Sequence, residues 1–244
     1  MKNVKYLTIS FLMFFLFSII VEAQPNDNVY QFPIKPGTSE WKKLKTHNEM
    51  LKVVQLPLDT KKSISTKSLL NTCLTYPLFI DMWASNNIKA GFDQVKKDFN
   101  GFEELFQRKD AFIEIFKLYK SMDPEIVNQK ISLVDKGRYT AEYCKIEIIL
   151  AHPDLIKNLS QHEKEIVLDE VVIKKNQMLN HLEFDIRNIE TNIYLMGRTL
   201  IELDNTIKQR VNKKTYLFIE TSNSIDKESI VEIVNHAENY LKNK

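Results

Sequence analysis

Between Thr66 and Met122 apolar residues recur at helical spacing, yet a helix breaker interrupts them about every ten residues. Leu69, Leu70, Cys73 and Leu74 repeat at intervals of three and four, and Tyr76-Pro77 then cuts the run. Proline lacks the N–H that a helix interior needs and its ring clashes with the preceding turn, so Pro77 is expected to start a new helix, PLFIDMWA. Asn86 and Asn87 supply a turn and a cap for a helix with Ile88, Phe92, Val95 and Phe99 on one face. Asn100-Gly101 is expected to end it, because both residues tolerate the left-handed conformation that follows a helix. Phe102, Leu105 and Phe106 make a further short helix, and Asp110 caps another bearing Phe112, Ile115, Phe116 and Tyr119. A chain broken this often cannot build a bundle of long helices. It must bury short apolar faces against several neighbours.

The remainder repeats the pattern. Thr46-x-x-Glu49 and Ser160-x-x-Glu163 have the form of capping boxes ahead of apolar runs. LDTKKSIST, before the cap at Ser65 or Thr66, is expected to be a connector. Tyr139, Tyr143, Ile146, Ile149 and Leu150 line one helix face, which His152-Pro153 breaks. The helix opened at Ser160 is expected to run to Phe184 and another to cover Ile186 to Leu203, where Gly197 allows a close crossing. TYLFIE, within residues 213–221, fits a strand or a short buried helix. Ser224 or Asp226 caps a last amphipathic helix. The expected fold class is all-α, an irregular multi-helical array or α–α superhelix of short helical hairpins.

Lys2 and Lys5 precede an apolar run, Leu7 to Val21, which is followed by Glu22 and Ala23. This is the form of a signal peptide over residues 1–23. The run is shorter than the roughly 20 residues of a spanning helix, which disfavours a retained anchor. Residues 24–38, with Pro25, Pro33, Pro36 and Gly37 and no apolar period, are expected to be a surface linker, and residues 39–244 a single helical domain. Export to the periplasm or the medium follows, with no membrane contact after cleavage. Setting aside Lys2, Lys5 and Glu22 lowers the net charge from +2 to +1. Lys and Glu are interleaved rather than gathered into a basic stripe, so no nucleic-acid partner is expected.

The glycines are too scattered for a phosphate cradle, and no Walker A, dinucleotide or GxSxG string occurs. His162-Glu163 begins like a zincin helix but Ile166 stands where the second histidine is needed, and no histidine has a carboxylate three residues before it. No metal site and no cofactor are expected. Cys144 and His152 are eight residues apart, about 12 Å along one helix, so local sequence supplies no thiol dyad. Cys73 and Cys144 pair as a disulfide on one reading and are two small buried hydrophobes on the other. Glu163, Glu165, Asp169 and Glu170 read as a solvated helix face, and the phenylalanines between Phe92 and Phe116 as core. No catalytic residue emerges. The candidate binding rim is Tyr76, Asp81, Trp83, Asn86 and Asn87, where large aromatics stand beside small amides at helix ends.

The strings TCLTYPL at residues 72–78 and FNGFEELFQRKDA at residues 99–111, with the stretch from Glu49 to Pro57, carry a resemblance. From Trp41 to about Tyr119 the chain resembles a recurring segment in exported bacterial proteins of unassigned function. The resemblance implies a helical exported protein and supplies no catalytic residue. The expected function is an exported, non-enzymatic helical binding or scaffold protein with a protein or peptide partner. The alternative is a hydrolase acting on glycan or peptide, with carboxylates assembled only by the fold.

Overall fold

Caps and breakers place most helix ends in the computed structural model, which describes residues 28–244. The expected signal peptide, residues 1–23, lies outside the described residues. A 3₁₀ turn over Trp41–Lys43 precedes α1 (His47–Val53), which the Thr46–Glu49 capping box opens. α2 (Leu58–Ser63) occupies the expected connector, and α3 (Thr66–Leu74) starts at Ser65, whose hydroxyl accepts the Ser68 N–H at 3.2 Å. α4 (Ile88–Asp98), α5 (Asn100–Gln107) and α6 (Ala111–Ser121) follow in quick succession. After a 3₁₀ turn at Pro124–Asn128 come α7 (Leu133–Leu150), α8 (Pro153–Ile156), α9 (Gln161–Met178) and α10 (Ile186–Leu203). α11 (Ile207–Arg210), α12 (Lys213–Thr221) and α13 (Lys227–Lys242) complete the chain. The fold is an all-α multi-helical array, without strands among the described residues. No helix among them is long and apolar enough to cross a membrane.

Several local expectations give way to packing. PLFIDMWA forms a 3₁₀ turn over Phe79–Ala84 instead of an α-helix. Phe79 and Met82, three apart, are both buried while Ile80 is exposed, and 3₁₀ winding eclipses residues at that spacing on one side. Asn100-Gly101 does not end a helix in the left-handed region; it begins α5, and the only positive φ values among the described residues are at Gly37 and Ser222. The Asn100 amide instead clamps a distant backbone, accepting the Leu56 N–H and donating to the Leu56 carbonyl, both at 2.9 Å. Asp110 makes no cap, because its carboxylate accepts from the Thr66 hydroxyl at 2.7 Å. α9 stops at Met178, short of Phe184, where His181 turns in to meet Glu125 at 3.1 Å. TYLFIE resolves as helix: Asn212 caps α12, and Thr215, Phe218 and Ile219 are buried at helical spacing.

The most enclosed element is α10, buried from Thr191 through Ile201 between α7, α9 and α13. Gly197 does permit a close crossing: a Cβ there would stand 2.7 Å from Ile219 Cγ1 of α12. The expected surface linker is not wholly on the surface. Phe32 is 5 % exposed within a ring cluster of Tyr30, Tyr76 and Phe99, and the Tyr30 N–H donates to Thr72 Oγ1 at 3.1 Å. Two aromatics, Tyr30 and Phe32, were enough to dock it. At the exposed start of α9, Ser160→Ala removes the hydroxyl that accepts the Glu163 N–H at 3.2 Å. We expect it to cost about 1 kcal/mol in a urea titration; an unchanged midpoint would mean that the box holds nothing.

Candidate functional site

The five rim residues separate in space. Tyr76 is buried with its ring stacked on Phe99, centroids 4.2 Å apart, and burial pushes its phenol up. Asp81 faces His47 at 3.6 Å, its carboxyl raised by partial burial. Trp83, Asn86 and Asn87 do come together, lining a cleft of about 330 Å³ with Arg187, Glu190 and Ser224. A second cleft of about 260 Å³ is walled by Trp83 and Arg187 together with Glu183, Asp185, Asn188 and Cys144. Trp83 and Arg187 thus form the partition between two hollows.

Local chemistry fixes this partition. The 3₁₀ turn carries Trp83 outward opposite the buried Met82. Asn87 caps α4, accepting the Ala90 N–H at 2.8 Å, and its amide donates to Asn223 Oδ1 at 2.8 Å. Ser222, left-handed at φ 51°, ends α12 and accepts the Lys89 N–H at 2.9 Å, so the start of α4 and the end of α12 hold one another. Asp185 caps α10 and accepts from Arg187 Nε and Nη2 at 3.1 and 2.8 Å. That fork sets the guanidinium 5.3 Å from the centre of the Trp83 ring, within cation–π range. Glu190, one turn on, is half-buried and forms no hydrogen bond or ion pair among the described residues; burial, then the nearby Asp185 charge, raises its carboxyl against the pull of Arg187.

A larger cleft, about 780 Å³, was not foreseen. His152, Asp93, Lys96, Asp154 and Phe106 line it. From sequence, His152 is half of a breaking His-Pro pair and lies too far from Cys144 for a local thiol dyad. In the structure its Nδ1 accepts the Asp154 N–H at 3.2 Å as the cap of α8, which leaves the ring proton on Nε2, 3.4 Å from Asp93 Oδ1. Lys89 reaches Asp93 at 2.6 Å and Lys96 reaches Asp154 at 2.7 Å. Burial works against the Asp93 charge, but hydrogen bonds from His152 and Lys89 hold its carboxyl below the ordinary range. The Lys96 hydrogen bond does the same for Asp154. Among the described residues no serine, threonine or cysteine lines this cleft. The contact between Asp93 and His152 is made by tertiary folding, which no local spacing announces.

Other reactive groups are enclosed. Glu147 is wholly buried, its Oε1 accepting from Tyr119 and Asn192, both at 2.9 Å. Lys174, also buried, pairs with Glu170 at 3.3 Å and donates to the Met122 carbonyl at the end of α6. The disulfide is not formed: Cys73 and Cys144 are free and buried. Cys73 packs in the core, and Cys144 Sγ accepts from the Asn188 amide at 3.1 Å. Burial drives the Cys73 thiol well up and the Cys144 thiol to about 12, so both stay protonated and inert. Among the described residues no group of three or more His, Cys, Asp or Glu is placed to hold a metal ion. No family model, curated protein or solved structure matches the chain.

Proposed function

We propose that this chain is an exported, non-enzymatic binding protein whose protein or peptide partner docks at the two clefts divided by Trp83 and Arg187. The observation that carries the reading is the partition itself: an aromatic ring and a guanidinium at the mouth of two adjoining hollows, with the side chains of Ser85, Asn86, Glu190 and Ser224 unpaired in one of them. Large aromatics and arginine are the residues that most often dominate binding energy at interfaces, and unpaired polar groups give such a surface direction. Export rests on the basic and apolar opening of the sequence.

The chemistry of the larger cleft favours binding over hydrolysis. Glycoside hydrolysis needs two carboxyl groups whose proton affinities are driven apart. Asp93 and Asp154 are both driven down, Asp93 by hydrogen bonds from His152 and Lys89 against burial and Asp154 by Lys96, with His152 between them. In the Trp83 cleft Glu190 is raised, but its neighbour Asp185 is committed to the cap of α10 and to Arg187.

A screen of tripeptides against the ¹⁵N-labelled mature chain tests the reading. Perturbed amides should cluster around Trp83, Asn86, Arg187 and Glu190, and Trp83→Ala should weaken the best binder at least about tenfold. Cleavage of the peptide, or perturbations centred on His152 instead, would count against it.

A further inference from the structure

We infer that the Trp83 cleft takes an organic cation, the lysine or arginine side chain of the docking partner. This rests on the cleft being the docking site and adds the chemistry of what enters it. Three observations converge. Among the described residues Glu190 is the one acidic residue lining this cleft, and it is half-buried with no positive group of theirs in hydrogen-bond or ion-pair contact. Arg187 favours its charge from beyond contact distance, but burial and then the Asp185 charge outweigh that, and an incoming cation would supply the direct contact that the fold does not. The Trp83 ring lining the same cleft already carries a cation, the Arg187 guanidinium, so it is electrostatically suited to one. Arg187 is neutralised by its fork onto Asp185, which leaves Glu190 as the net charge of the cleft. Ser85, Asn86 and Ser224 line the same hollow without side-chain hydrogen bonds to the described residues, offering oxygen acceptors to the N–H groups of an ammonium or guanidinium.

Arg187 then has a definite part. It holds the ring face in the empty protein and must share or yield that face when a second cation arrives. Removing it should tighten cation binding, the opposite of what an anion-binding arginine would do.

The test uses the mature chain in a Trp41→Phe background, where Trp83 is the sole remaining tryptophan. Trilysine, triarginine and a tripeptide of acetylated lysine are titrated at low ionic strength, reading Trp83 fluorescence and, independently, heat of binding. The two cationic peptides should bind and shift the fluorescence while the acetylated peptide does not. Glu190→Gln should weaken trilysine or triarginine binding about tenfold. Arg187→Ala should strengthen it by several-fold, with the Asp185–Asn188 capping box left to hold α10. Acetylated lysine binding as well as trilysine with Trp83 still responding would overturn the cation assignment and leave the docking site standing. Weaker binding in Arg187→Ala would also overturn it, since the guanidinium would then contact the ligand. Heat of binding without any fluorescence change, unaltered by Trp83→Ala, would remove the docking site as well.

Discussion

Gly91→Ala is expected to destabilise the protein by about 3 kcal/mol or more, because a backbone stands where the new methyl group would go. A Cβ at Gly91 would lie 2.0 Å from the Met82 carbonyl oxygen and 2.8 Å from its carbon. Such a clash has no rotamer to relieve it. Gly101 and Gly197 are also crowded, at 2.4 Å from the Phe99 ring and 2.7 Å from Ile219 Cγ1, but both of those neighbours are side chains that can turn. At Gly91 the whole of α4 must lift from the 3₁₀ turn, which carries the fully buried Met82 and, next to it, Trp83. Stability and docking should therefore fail together. For a chain of this length the loss corresponds to a fall of roughly 10 °C in Tm. Gly137→Ala is the matched control for stability alone, since Gly137 lines the second cleft. It is an exposed position inside α7 with open space around the added methyl, and should gain up to about 1 kcal/mol from helix propensity. A Gly91→Ala protein melting within 2–3 °C of the parent would show that α4 and the turn adjust freely, and the rigidity ascribed to the Trp83 partition would go with it.

The strings that carry the resemblance turn out to be scaffolding. Asn100 clamps Leu56, Gly101 makes room for the Phe99 ring, and Arg108 donates to the Ile64 and Lys61 carbonyls at 2.7 and 2.8 Å, closing the end of α2. Thr72 holds the Tyr30 backbone, and Tyr76 stacks on Phe99. Asn100, Arg108 and Thr72 are distinctive here because each satisfies a backbone some forty positions away, and Gly101 and Tyr76 because they fit around the Phe99 ring. The surface they support is made of ordinary residues.

This explains which features were legible. Helix type and most helix starts were, because caps and breakers act within four residues: Thr46, Ser160, Asn87 and Asp226 all cap as their spacing implies. Helix ends were less so. α9 ends where it does because His181 finds Glu125 on another element, and Asp110 is drawn from its cap by Thr66. Three of the five rim residues share a cleft because Asn86 and Asn87 follow the turn that bears Trp83. Arg187 and Glu190, near residue 190, joined them because α10 packs on α12, whose end is held by the start of α4. The His152 cleft lay beyond reach for the same reason, its acid Asp93 coming from a different helix.

The buried Glu147 gives the second large effect, as a dependence of stability on pH. Burial raises its carboxyl from 4.5 to about 7, against hydrogen bonds from Asn192 and Tyr119 that favour the charge. The folded protein thus keeps a proton that the unfolded chain has released between those two values. Stability from this site is complete below pH 4.5 and is lost as pH rises through 7, by roughly 3 kcal/mol in all. The cluster also has acceptors to spare: Glu147 Oε2 and Asn192 Oδ1 lack a donor, and a proton on the carboxyl supplies one. Glu147→Gln keeps the shape and an Oε1 acceptor for Tyr119 and Asn192 but cannot titrate. Other ionisable groups contribute equally to both proteins, so the quantity to read is the difference between their urea midpoints. At pH 5 the two should nearly coincide. At pH 8 the variant should be the more stable, by about 1 M urea for an m-value near 3 kcal/mol per M. Parallel pH profiles would mean that Glu147 is charged in the folded state throughout, with Lys174 carrying a larger share of its compensation than the 3.3 Å pairing of that lysine with Glu170 suggests.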